Sequence, residues 1–158
     1  MKAEMEISGL LKGTGLTLSA AESCTGGRIA HLITTVSGAS GYFLGGVVSY
    51  AVSVKESVLG VSPEIILGKG VVSSETAAAM AEGVRSLTGS TFSVATTGLA
   101  EGSDEFNPEG TVWIGVSGPA GTATRKFNTV GTRKENIRRF TDAALRFLRK
   151  YISDYLSV

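Results

Sequence analysis

Apolar and polar positions change their spacing several times along the chain, and each change marks an element. Residues 2–12 set Met5, Leu10 and Leu11 among Lys2, Glu4, Glu6 and Lys12, a short helical stripe closed by Gly13 and Gly15. Residues 16–21 then read as a buried strand. Thr25, Gly26 and Gly27 follow at once, before Ile29, Ala30, Leu32 and Ile33 restore helical spacing. Residues 42–50 run through aromatic, glycine and β-branched types as the next strand, and residues 51–59 look helical. A short helix over 63–67 has Ser62 as N-cap and Pro63 as its first residue, closed by Gly68 and Gly70. Ser73 or Ser74 opens a longer helix to about residue 87, with Ala77, Met80, Ala81 and Val84 on one face.

Residues 92–97 form another strand. Residues 98–110 carry nearly every loop-forming residue type, and a loop of that length in a small domain is commonly functional. Residues 111–117 and 122–128 flank Gly118, Pro119, Ala120 and Gly121 as a β-hairpin. The last helix repeats Ile137, Phe140, Ala144, Phe147 and Tyr151 every three or four residues. Strands alternating with helices, plus one hairpin, predict a three-layer α/β domain on a mostly parallel sheet with an antiparallel member. In such sheets ligands sit beyond the carboxyl ends of strands, so residues 22–27 and 97–110 should converge there.

Composition narrows the class. The chain has 158 residues, 42% hydrophobic and 18% charged, which suits one globular domain over residues 1–158 and excludes disorder. Fifteen basic against fourteen acidic residues leave a net charge of +1, so a nucleic-acid partner bound by bulk electrostatics is not expected. A single cysteine, Cys24, excludes a disulfide framework and a Cys-rich metal site. No membrane span or secretory signal is recognisable, and a cytoplasmic location is expected. Glycine stands out at 21 residues without a fixed period, a sign of tight turns and close backbone approaches. The apolar stretch 42–48 can be sheet core or subunit contact, which leaves a homo-oligomer open.

Two clusters can carry chemistry. Residues 21–27, Ala-Glu-Ser-Cys-Thr-Gly-Gly, put a hydroxyl at a strand end and free amides at a helix start, a cradle for a phosphate or an oxyanion. Alternatively Ser23 or Thr25 caps the helix and the glycines only permit close packing. The one histidine, His31, lies eight positions after Ser23, roughly 12 Å along a helix, too far to activate that hydroxyl. A Ser-Lys arrangement remains, with Tyr50 at a strand end and Lys55 one helical turn into the next element, both able to face one crevice. Lys55 could act as a base only if burial or nearby positive charge lowered its pKa; otherwise it is a solvated lysine. Cys24 is the competing nucleophile, or a buried small hydrophobe. The second cluster is basic: Arg133, Lys134, Arg138 and Arg139 open the last helix behind the N-cap candidate Thr132. Cations there oppose the helix dipole, so they either answer a phosphate or form a solvated face.

Taken together, Ala-Glu-Ser-Cys-Thr-Gly-Gly at 21–27, Tyr-Phe-Leu-Gly-Gly-Val-Val-Ser-Tyr at 42–50, Lys55, Leu-Gly-Val at 59–61, Val-Ser-Ser-Glu at 72–75, Thr-Gly-Leu-Ala at 97–100 and Gly-Thr-Val-Trp-Ile-Gly at 110–115 resemble the CinA C-terminal domain family. The resemblance covers nearly the whole chain. It implies an α/β/α sandwich on a mixed, mostly parallel five-stranded sheet, like the anticodon-binding domain. It also implies hydrolysis of the carboxamide of nicotinamide mononucleotide to nicotinic acid mononucleotide and ammonia, with no cofactor or metal. On that resemblance Ser23 attacks the carbonyl, Lys55 and Tyr50 manage its proton, and amides near Thr25, Gly26 and Gly27 stabilise the oxyanion. Glu22, Thr97 and Gly98 would line the nucleotide site, and Arg138 with Arg133 would hold the phosphate. The larger N-terminal domain of full-length members is not expected here, nor is its pyrophosphatase chemistry.

Two stretches depart from the family pattern. The family reads Tyr-Ser-Asn-Glu-x-Lys where this chain has Tyr50, Ala51, Val52, Ser53, Val54 and Lys55. Its Gly-Ile-Ala-Gly-Pro-x-Gly-Gly loop becomes Gly98, Leu99, Ala100, Glu101, Gly102, Ser103 and Asp104. Glu101, Asp104, Glu105 and Glu109 would repel a phosphate if they faced the pocket. The alternative function is therefore a nucleotide-binding or interaction module without turnover.

Overall fold

A five-stranded sheet in the order β2-β1-β3-β4-β5 forms the middle layer of the computed structural model, which describes residues 1–157. Its strands are β1 (Leu18–Glu22), β2 (Phe43–Val48), β3 (Phe92–Gly98), β4 (Thr111–Gly118) and β5 (Gly121–Asn128). β1 pairs in parallel with both β2 and β3, while β4 runs antiparallel to β3 and to β5. Four strands therefore point one way and β4 alone opposes them, as the mostly parallel expectation requires. β1 and β3 are central, and their nearly unbroken burial reflects helices on both faces. The hairpin turns on Pro119 and Ala120, with Gly118 opposite Gly121.

The helices are α1 (Ala3–Leu11), α2 (Arg28–Thr34), α3 (Val52–Ser57), α4 (Pro63–Lys69), α5 (Ser74–Thr88) and α6 (Arg133–Leu156). On one face α1, α2 and α6 cover the larger core, where Ile7, Leu18, Ile29, Phe92, Ile114, Phe140 and Leu148 are fully buried. On the other α4 and α5 close a smaller core of Leu59, Val61, Met80, Ala81, Val84 and Ala95. Each Val, Leu, Ile, Met or Phe side chain among these contributes about 1.5–3 kcal/mol on burial. α5 lies hard against the sheet because Gly115 has no Cβ, and one there would overlap the Ala77 carbonyl oxygen.

The helix starts follow their sequence signals. Ser73 accepts from the Thr76 amide, and Thr132 forms a capping box with Glu135. One expected face is corrected. α1 turns Glu4, Ile7, Ser8 and Leu11 inward and leaves Met5 51% exposed, because Ile7 and Leu11, four residues apart, meet the larger core. Among the described residues no helix is long and apolar enough to cross a membrane.

Candidate active site

β1 ends at Glu22, and the chain then has to reverse into α2 within five residues. Gly26 and Gly27 make this possible with φ of 60° and 102°, left-handed values that a Cβ resists. The turn is fixed from inside by the Glu22 side chain, which is 1% exposed. Its Oε1 accepts from Thr25 Oγ1 at 2.6 Å, from the Gly27 amide at 3.2 Å and from the Ile29 amide at 2.9 Å, and its Oε2 from the Ala30 amide at 3.0 Å. A carboxylate held by three amides at a helix N-terminus is a strong charge-assisted cap.

This arrangement changes two expected roles. Glu22 is not in the cleft lining but beneath the turn, and Thr25 is committed to Glu22 and, at 2.8 Å, to Thr96 Oγ1. The amides of Gly26 and Gly27 are likewise spent, on the Ser23 carbonyl and on Glu22. Among the described residues the Ser23, Cys24 and Thr25 amides are the three of this turn that donate to no other residue.

Ser23 sits on top of the turn and meets Lys55. Lys55 Nζ lies 2.9 Å from Ser23 Oγ, 2.6 Å from the Ser49 carbonyl and 3.1 Å from the Tyr50 carbonyl. The lysine reaches this point from the last turn of α3, and β1 and β2 are tied together there by the Ser49 amide donating to the Glu22 carbonyl at 2.7 Å. Lys55 is fully buried, with no carboxylate within salt-bridge distance among the described residues. Burial therefore holds its pKa below the usual lysine value. A neutral amine has two N–H groups and one lone pair, and the three contacts match that inventory: two carbonyls accept, and the lone pair can take the hydroxyl proton of Ser23.

The neighbouring thiol is different. Cys24 is buried, and burial pushes its pKa up to about 12, so it is a neutral thiol at ordinary pH and a poor nucleophile. His31 is exposed on α2.

A cleft of about 400 Å³ opens above Ser23, a size suited to a small ligand. Ser23, Cys24, Tyr50, Val71, Val72, Gly98, Leu99, Ala100, Glu101, Asp104 and Arg133 line it. Residues 22–27 and the loop after β3 thus converge, as the strand-end rule predicts. Gly98 is required where β3 passes β4, since a Cβ would come within 2.6 Å of the Thr111 carbonyl oxygen. Thr97 is fully buried and outside the lining; its hydroxyl donates to the Val71 carbonyl at 2.8 Å and so holds the opposite wall. Asn136 is fully buried at the start of α6 and donates to the Ala100 carbonyl at 2.9 Å, fixing the loop to the helix that carries Arg133.

Two further expectations are corrected. The Tyr50 phenol touches neither Ser23 nor Lys55; its oxygen accepts from Arg133 Nη2 at 3.0 Å, and only its backbone carbonyl meets the lysine. Arg138 lies outside this cleft, in a separate groove of about 430 Å³ between α1, α2 and α6 with Arg28, Arg146 and Arg149. The reason is helical phase: five residues separate Arg133 from Arg138, which at about 100° per residue puts them on different faces of α6. Of the departures, Val52 is 38% exposed and outside the lining, whereas Glu101 and Asp104 face the cleft. Glu109 instead accepts from the Gly102 amide at 2.6 Å.

The profile of the CinA C-terminal domain matches residues 1–152. The chain belongs to the CinA C-terminal domain family. It is 47% identical over 147 residues to a CinA-like protein of Geotalea daltonii, covering 91% of this chain and 35% of that one. A CinA-like protein of Desulfosudis oleivorans is 46% identical over 150 residues, covering 93% and 36%. The chain thus spans about a third of the length of the curated relatives it matches. Among solved structures, the competence/damage inducible protein CihA of Agrobacterium tumefaciens superposes with a TM-score of 0.88 at 32% identity, covering 92% of this chain and 91% of that one. Competence damage-inducible protein A of Klebsiella pneumoniae gives a TM-score of 0.91 at 27% identity, covering 96% and 95%. Within the CinA fold, the features that sequence reasoning missed are backbone or buried ones: the Ser49 carbonyl, the Val71-Val72 wall and the Asn136 tie. A carbonyl acceptor leaves no trace in residue type, and nothing in the type of Asn136 says that its side chain is buried against the loop after β3.

Proposed function

We propose that this domain hydrolyses the carboxamide of a pyridine nucleotide such as nicotinamide mononucleotide, with Ser23 as nucleophile and Lys55 as general base and acid. The 2.9 Å contact between a serine hydroxyl and a buried lysine that has no carboxylate partner carries this reading. Lys55 takes the Ser23 proton as Oγ bonds to the amide carbon. The carbonyl π electrons move to oxygen, and amides of this turn that donate to no other residue, Cys24 and Thr25 among them, would stabilise that oxyanion. Collapse breaks the carbon–nitrogen bond, and the Lys55 ammonium returns its proton to the departing nitrogen, which leaves as ammonia. Water then attacks the Ser23 ester, gives a proton to Lys55 and releases the carboxylic acid; Ser23 regains its proton from Lys55. In the charged state Lys55 keeps three acceptors for three N–H groups, which supports the shuttle in both directions.

Tyr50 and Arg133 stand at the mouth, joined by the 3.0 Å hydrogen bond, and would receive the ribose phosphate end. Ammonia release from nicotinamide mononucleotide tests the proposal: the wild type should turn over and Ser23→Ala should not, whereas equal rates would refute it. The departure from the family pattern at Glu101 and Asp104, both in the cleft lining, favours a second reading, a nucleotide-binding or protein-interaction module that has lost turnover. Calorimetric binding with no ammonia release would select it.

A further inference from the structure

We propose that Glu101 is a specificity-determining residue of this cleft, weakening its preference for a phosphorylated substrate over the same nucleoside without its phosphate; this rests on the amidohydrolase reading above. Four charged groups face the cleft or its floor: Lys55, Arg133, Glu101 and Asp104. Lys55 is spent on Ser23 and two carbonyls. Burial works to raise the Asp104 carboxyl, but the Phe106 amide, the Asn107 carboxamide and the Asn107 amide outweigh it and hold Asp104 below the ordinary aspartate value. Asp104 is therefore a fixed negative charge. That leaves Arg133 as the one guanidinium lining the cleft among the described residues.

Both terminal nitrogens of Arg133 are already engaged. Nη1 lies 3.7 Å from Glu101 Oε1, and Nη2 donates to the Tyr50 hydroxyl. The Arg133 and Glu101 side chains are 47% and 67% exposed, so their pairing adds little to the fold. Its consequence falls on ligands. A phosphate reaching the guanidinium has to share it with a carboxylate that also repels the phosphate's own charge. The backbone that carries Glu101 is held on both sides, by Asn136 at the Ala100 carbonyl and by Glu109 at the Gly102 amide, which keeps its side chain within reach of Arg133. In a half-exposed site, like charges several ångströms apart change an equilibrium by a factor of a few, and the effect shrinks with salt.

The test compares kcat/KM for nicotinamide mononucleotide and nicotinamide riboside in the wild type, Glu101→Gln, Arg133→Met and the double variant. Glu101→Gln should raise the nucleotide-to-riboside ratio about fivefold at low salt, acting on KM for the nucleotide. The rise should vanish in the Arg133→Met background. An unchanged ratio, or a rise that persists without Arg133, overturns the proposal. Should no variant release ammonia from either compound, the amidohydrolase reading fails, and calorimetric dissociation constants for the same two compounds still decide the role of Glu101 by the same ratio.

Discussion

Replacing Glu22 by Gln removes one charge from the least exposed part of the turn that presents Ser23, and its cost can be worked from four hydrogen bonds. Three donors, Thr25 Oγ1 and the Gly27 and Ile29 amides, meet Oε1, which the glutamine oxygen can replace. Each then changes from a bond to a charged acceptor into one to a neutral acceptor, a loss of about 1 kcal/mol apiece. The fourth donor, the Ala30 amide, meets Oε2 at 3.0 Å, and the glutamine NH₂ placed there offers no lone pair. A buried N–H left without a partner costs about 1–3 kcal/mol. Against this, a neutral amide is easier to desolvate than a carboxylate, which returns part of the loss. The net is about 2–4 kcal/mol of destabilisation, and for a chain of this length roughly 5–15 °C in Tm. Scanning calorimetry with urea titration measures it. A Tm within about 2 °C of wild type would refute the role given to Glu22 as the buried cap of α2.

Activity should rise with pH through a midpoint below the ordinary lysine value of 10.5, since the neutral form of Lys55 is the base and burial lowers its pKa; a pH–rate profile of kcat/KM measures this, and Lys55→Met should cost about 10²–10⁴-fold. The same depressed pKa means that, between the folded and unfolded values, the unfolded chain binds the extra proton, so stability should climb with pH across that window and flatten above 10.5. Glycine substitutions in two helices should have opposite signs in urea titrations. Gly9→Ala, with open space around it in α1, should stabilise by about 0.5–1 kcal/mol, whereas Gly83→Ala in α5 would drive a Cβ into the Leu59 carbonyl oxygen and destabilise by at least about 1–3 kcal/mol. Cys24→Ala should keep ammonia release within severalfold of wild type, and native Cys24 should resist alkylation, because its thiol pKa is about 12.

The fold was legible because its signals are local. Strand runs, helical spacing and the Ser73 and Thr132 caps are written within a few residues, and every strand and every helix of the core forms where its pattern stands. The meeting of Ser23 and Lys55 was also readable, because the former follows β1 and the latter follows β2, a parallel neighbour, so both stand at one end of the sheet. What failed to show was direction and partner. Thr25 and Thr97 looked free to bind a ligand, yet their partners, Thr96 and Val71, are 71 and 26 positions away in the chain. The phenol of Tyr50 turns to an arginine 83 positions on, and Arg138 is carried out of the site by helical phase. Glu22 looked like a lining residue because nothing in its type says that amides of the following helix fold back over it.

The most direct measurement is mass-spectrometric mapping of enzyme quenched during turnover of nicotinamide mononucleotide. An acyl group on Ser23, absent from Ser23→Ala, is the expected result. An acyl group on Cys24, or undiminished turnover in Ser23→Ala with no adduct at all, would contradict it.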